Sequence, residues 1–77
     1  MVFEKVKTLL CEQFNVEDDE INLQTSLQDL GADSLDVADF VSSVQAEFDI
    51  TLEPDAVDIA QPLDGLVKYI ERLLVNL

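Results

Sequence analysis

The chain has 77 residues, 48% of them hydrophobic, with one cysteine and no histidine. That length allows a single domain over 1–77, with a core near the lower limit for folding alone, and the apolar content is too high for a disordered acidic tail. Seventeen acidic residues against four basic ones give a net charge of -13, which repels phosphate backbones and anionic lipid and argues against nucleic-acid or membrane-inserting partners.

A lone cysteine cannot form an internal disulfide, so ordinary packing must hold the fold, and the expected compartment is reducing. No apolar run approaches the roughly 18 residues of a membrane span, and Met1-Val2-Phe3-Glu4-Lys5 leads into an amphipathic pattern rather than a signal segment. A cytoplasmic monomer is expected.

In the first predicted element, Phe3, Val6, Leu10 and Phe14 recur at spacings of three or four, with Glu4, Lys5, Thr8 and Glu12 elsewhere on the wheel. This is an amphipathic helix from about residue 2 to 14, and Asn15, which tolerates the left-handed conformation, is its predicted stop. Cys11 falls at the border of the apolar face and is expected to be a buried or half-buried small residue. From Asn15 to Asp33 the period is lost, and Ile21, Leu23, Leu27 and Leu30 remain as isolated apolar anchors. A loop of that length suggests a functional role or a hidden helical turn. Asp18-Asp19-Glu20 is expected at a solvated tip; the ligand order and central glycine of a calcium loop are absent, so no specific metal site is expected.

A second helix should begin at Asp33 or Ser34, either of which can cap free amides, and run to about Phe48, with Val37, Phe40, Val41, Val44 and Phe48 on one face. A short turn of helix should follow Pro54, a residue suited to a first helical position, with Pro62 as its end. The last helix, from about Leu63 to Leu74, gathers Leu63, Leu66, Val67, Ile70 and Leu74, with Lys68 and Arg72 placed to favour its C-terminal end. Gly65 costs its first turn about 1 kcal/mol relative to alanine. Sustained alternation is missing, so the expected class is all-α. The expected architecture is a four-helix bundle, with three main helices, one short helix and a long loop between the first and second.

Absence of histidine removes the Ser-His-Asp and Cys-His arrangements, and one cysteine removes the usual structural zinc sites. Carboxylates remain: Asp33 with Asp36, and Asp36 with Asp39, can meet across three helix positions. A chain this small has little room for a shaped acid-base cleft, so a recognition surface is the better account. Ser34 has no imidazole to activate it as a nucleophile. It is either a helix N-cap, worth about 1 kcal/mol, or a point of attachment, where a phosphate ester would sit beside unpaired helix amides. Gly31 permits tight backbone geometry just upstream.

Leu30-Gly31-Ala32-Asp33-Ser34-Leu35-Asp36 resembles the prosthetic-group attachment motif of acyl carrier proteins, with Asp33-Ser34-Leu35 at its centre. The resemblance extends over essentially the whole chain, through the length, the acidity, the long loop, Glu47-Phe48-Asp49 and Tyr69-Ile70. It implies a non-catalytic carrier whose Ser34 hydroxyl receives 4′-phosphopantetheine from coenzyme A, transferred by a separate holo-carrier synthase (a phosphopantetheinyl transferase) that uses magnesium. The arm's thiol would hold acyl cargo as a thioester, most simply in fatty acid biosynthesis, with a polyketide or other specialised acyl pathway as the alternative. An unmodified acidic adaptor is the reading from a different class.

The resemblance also implies that the acidic second helix docks on basic patches of acyl transferases and ketosynthases. The residues expected to touch such partners are Asp33, Leu35, Asp36, Ala38, Asp39, Ser42, Glu47 and Asp55. No lysine or arginine lies between Lys7 and Lys68, which fits that role. The chain departs from the pattern of fatty-acid members at Gln45-Ala46, where consecutive glutamates are common, and at Ser42, where a methionine is common. The stripe Leu35, Ala38, Ser42 and Ala46 is therefore small and polar here.

Overall fold

The structure, a computed structural model, describes residues 1–75; the last two residues of the expected domain lie outside them. The described residues form α1 (Val2–Phe14), α2 (Ser34–Phe48) and α3 (Leu63–Val75), with single 3₁₀ turns at Asp18–Glu20, Gln28–Leu30 and Pro54–Ala56. The all-α expectation is met, and among the described residues there is no strand, only an isolated antiparallel bridge between Ser26 and Pro62.

Each helix buries the face its period announces. Val6 and Leu10 of α1, Phe40 and Val44 of α2, and Leu63 and Ile70 of α3 are at most 1% exposed. Phe3, Phe14, Phe48, Leu66 and Leu74 pack half-buried around them. Both ends expected of α1 and α2 are found. Asn15 is left-handed at φ 57°, and Asp49 closes α2 in the same conformation, its amide donating to the Gln45 carbonyl at 2.9 Å.

The short helical turn expected after Pro54 is found at Pro54–Ala56. It stops at Ala56, because β-branched Val57 is extended and the Asp58 carboxylate accepts the Ala60 N–H at 2.9 Å, folding the chain away from a helical path. The described chain is thus a bundle of three main helices, with a single short turn between α2 and α3.

The long loop is ordered by hydrogen bonds to the start of α3. Leu63 N–H donates to the Thr25 carbonyl at 2.8 Å and Asp64 N–H to the Leu23 carbonyl at 3.0 Å, so the loop supplies acceptors to amides that α3 cannot satisfy itself. Gln28 N–H donates to the Ile59 carbonyl at 2.9 Å, joining the two connections. Ile21 and Leu27 are buried anchors as expected, but Leu23 is 38% exposed. Its backbone does the anchoring: Asn22 and Thr25 close a turn around it, which aims the Leu23 carbonyl at α3 and leaves the side chain largely outside.

Lysine contacts do little to offset the charge. Lys5 Nζ lies 3.2 Å from Glu47 Oε2, Lys68 Nζ 3.4 Å from Asp64 Oδ2, and Lys7 Nζ 4.0 Å from Glu4 Oε2. The Lys5 and Lys68 pairs face solvent and contribute about 0–1 kcal/mol each.

Two predictions follow from burial and charge. Phe40→Ala removes a fully buried ring at a cost of about 3–5 kcal/mol, a large part of the stability of so small a domain, and thermal circular dichroism should show its cooperative melt lost or shifted far down. The thermal midpoint of the unsubstituted chain should rise when salt or magnesium is added to a low-salt buffer, as self-repulsion is screened; a midpoint indifferent to both would remove self-repulsion as a stability term.

Candidate functional site

Gly31, Asp33, Ser34 and Asp36 come together where the loop turns into α2. The Gln28–Leu30 turn is held by a reciprocal pair: Ser26 N–H donates to Asp29 Oδ2 at 3.0 Å, and Asp29 N–H to Ser26 Oγ at 3.1 Å. Gly31 then reverses the chain at φ 81°, in the left-handed region. Leu27, buried beneath the turn, accepts the Ala32 N–H at 3.2 Å. The chain therefore reaches Asp33 from a fixed direction.

Asp33 is the N-cap of α2, which leaves Ser34 as its first helical residue. Asp33 Oδ1 accepts the Asp36 N–H at 3.0 Å, and Asp36 Oδ2 accepts the Asp33 N–H at 3.1 Å. This capping box takes the N-cap role away from Ser34. The cap is filled by its neighbour, and the exposed Ser34 hydroxyl is outside it. The same bonds turn one oxygen of each carboxylate toward backbone, so Asp33 and Asp36 meet as mutual caps and not as an acid-base pair. The signal was in the sequence: Glu17 with Glu20, Ser26 with Asp29, and Asp33 with Asp36 share the three-residue spacing of capping boxes.

The other residues expected to touch partners separate into two groups. Leu35, 75% exposed, and Ala38, Asp39, Ser42 and Ala46, also exposed, lie on the side of α2 opposite its buried face. Glu47 lies elsewhere, on the flank toward α1, paired with Lys5. Asp55 is exposed on the Pro54–Ala56 turn, which packs against α2. Gln45 is structural: its side-chain oxygen accepts the Leu52 N–H at 2.9 Å and so secures the exit from α2.

Cys11 is half-buried, as expected, with its Sγ 3.5 Å from Asp18 Oδ1. Burial first, and then the hydrogen bond and negative charge of Asp18, push its thiol above the ordinary range, which makes it a poor nucleophile at neutral pH. Two grooves, of about 390 Å³ between the 56–62 segment and α3 and of about 450 Å³ between α1 and Glu47, are not lined by Asp33, Ser34 or Asp36. Among the described residues no cluster of metal-ligating side chains forms and no helix is long and apolar enough to cross a membrane.

Known proteins resemble the chain over most of its length. Residues 4–70 match the family described as the phosphopantetheine attachment site. Acyl carrier proteins of Clostridium acetobutylicum and of Lactococcus lactis subsp. cremoris are 36% and 39% identical to the chain, each over 92% of it and 94% of the relative. An acyl carrier protein of Trieres chinensis is 39% identical over 90% of the chain and 88% of its own length. The chain belongs to the acyl carrier protein family. Members of this family are non-catalytic carriers, and their prosthetic group is 4′-phosphopantetheine. The junction fits such a group: an exposed hydroxyl stands on the first residue of α2, where the opening amides and the positive end of the helix dipole favour an anionic ester.

Gly31→Ala should destabilise the chain by about 1 kcal/mol through backbone conformation alone, because nothing lies within 4 Å of the added Cβ. Gly65→Ala should stabilise it by a similar amount, roughly the helix-propensity difference, since its Cβ would meet only Gln61 Oε1 at an ordinary 3.6 Å. Urea midpoints moving in opposite directions would bear this out.

Proposed function

We propose that Ser34 is the residue that carries 4′-phosphopantetheine, and that the chain is a single-domain, monomeric, cytoplasmic carrier of acyl groups in fatty acid biosynthesis. The observation that carries this reading is the exposed Ser34 hydroxyl at the first position of α2, released from capping by Asp33, in a chain of the acyl carrier family. The bound arm supplies the thiol on which acyl cargo is held. The protein's own residues hold the ester at a fixed place, beside amides that stabilise its charge, and present a surface to the enzymes that act on the cargo.

In this reading the transferase docks first, then acyl transferases and ketosynthases, each through a basic patch. Leu35, Ala38, Asp39 and Ser42 form the docking face, Asp55 extends it, and Glu47 contributes from the flank. Charge steers the encounter: 17 acids with no cation between Lys7 and Lys68 produce a field that attracts basic surfaces within about one Debye length, roughly 8 Å at physiological salt. One observation favours a specialised acyl pathway as a second reading. Behind Leu35 the face is made of Ala38, Ser42 and Ala46, which offer a partner little apolar relief.

Intact mass spectrometry after incubation with coenzyme A, magnesium and a phosphopantetheinyl transferase tests the reading. The unsubstituted chain should gain one phosphopantetheinyl mass and Ser34→Ala none; no gain, or a gain that survives Ser34→Ala, would return the chain to the class of unmodified adaptors. Loading of the modified protein by a fatty-acid malonyl transferase favours the first pathway. Failure there, with loading by a polyketide acyl transferase, favours the second.

A further inference from the structure

Asp36 is held from two directions. Its carboxylate and amide exchange hydrogen bonds with Asp33, at 3.1 and 3.0 Å, and its carbonyl accepts a 2.7 Å hydrogen bond from Gln13 Nε2 in the last turn of α1. Ser34 lies between the two tied residues. The peptide groups at Asp33 and Asp36 therefore cannot rotate without breaking one of these bonds, and the direction in which the Ser34 Cβ leaves the helix is set by them. Gln13 is partly buried, and α1 ends two residues later at the left-handed Asn15, so the brace comes from a fixed point of the bundle.

The geometry points to Asp36 and Gln13 as positioning residues for the transfer of the arm to Ser34. Asp36 acts through the acceptor it offers to the Asp33 amide, and Gln13 acts through its donor to the Asp36 carbonyl. The inference rests on the reading of Ser34 as the attachment residue. In that transfer the Ser34 Oγ–phosphorus bond forms as the pyrophosphate bond of coenzyme A breaks. Adenosine 3′,5′-bisphosphate leaves with the bonding pair, and the hydroxyl proton passes to a base of the transferase. In-line displacement needs the attacking oxygen in line with the leaving group, and a misplacement of about 1 Å can cost as much as about 100-fold in rate. A freely rotating first turn would leave that alignment to chance.

Positioning and docking make different predictions for variants. Asp36→Asn keeps an acceptor for the Asp33 amide and removes the charge; Asp36→Ala removes both; Gln13→Leu removes the brace and leaves the acidic surface untouched. Transfer from coenzyme A by a phosphopantetheinyl transferase is followed by intact mass on the full chain, below each variant's melting transition. Asp36→Asn should lose clearly less in kcat than Asp36→Ala. Asp36→Ala and Gln13→Leu should lose about tenfold or more in kcat with KM little changed. Equal loss in Asp36→Asn and Asp36→Ala, or loss expressed in KM, would make Asp36 a docking charge and overturn its positioning role. An unchanged kcat in Gln13→Leu, which alters no charge, would overturn the brace. Should the unsubstituted chain take up no phosphopantetheine, the Ser34 reading itself falls; should it be modified while every variant keeps its rate, only the positioning inference falls.

Discussion

Asp33 and Asp36 hold one another's backbone amides at the point where the long loop becomes α2, and most of what is distinctive about the structure depends on that exchange. It fixes where the helix begins, so it fixes which residue is first in the helix. From that start the apolar period carries Val37, Phe40, Val41 and Val44 into the core and Leu35, Ala38 and Ser42 outward. A start one residue later would shift the end of the helix dipole relative to Ser34 and give the serine the capping role. Both carboxylates work at short range, in a chain whose excess of acids otherwise acts at long range.

The loop that leads to this point behaves as a structural element. Its backbone carbonyls at Leu23 and Thr25 satisfy the first amides of α3, its Gln28 amide reaches Ile59, and Ile21 and Leu27 enter the core. A short chain with a small core gains from this arrangement, because one segment closes a helix end, buries apolar surface and sets the approach to Gly31 together. The connection between Pro54 and Pro62 follows the same logic, with side-chain and backbone acceptors replacing a continuous helix.

Much of the fold was legible in the sequence, for physical reasons that vary from element to element. The three main helices were readable because apolar period and burial have one cause, and α1 and α2 end within a residue of their expected limits. Asn15 was readable as a stop because few residues other than glycine tolerate its conformation. The turn after Pro54 was readable at its start, because proline announces where a turn can begin, while its end at Ala56 was set by extended Val57 and by hydrogen bonding of Asp58. Leu23 was misjudged because apolar character speaks for the side chain, and at this residue the carbonyl makes the contact. Which residue caps α2 stayed open because Asp33 and Ser34 are both good caps.

By itself the sequence determined the helical class, the three apolar faces, the acidity without cations from residue 8 to 67, and the exclusion of histidine-based and cysteine-zinc chemistry, since these depend on residue identity and local spacing. Tertiary structure decided that Glu47 turns to Lys5 and that Gln13 reaches the Asp36 carbonyl from another helix. Those outcomes depend on distances between segments far apart in the chain. Local propensity carries no information about such distances until the core has packed.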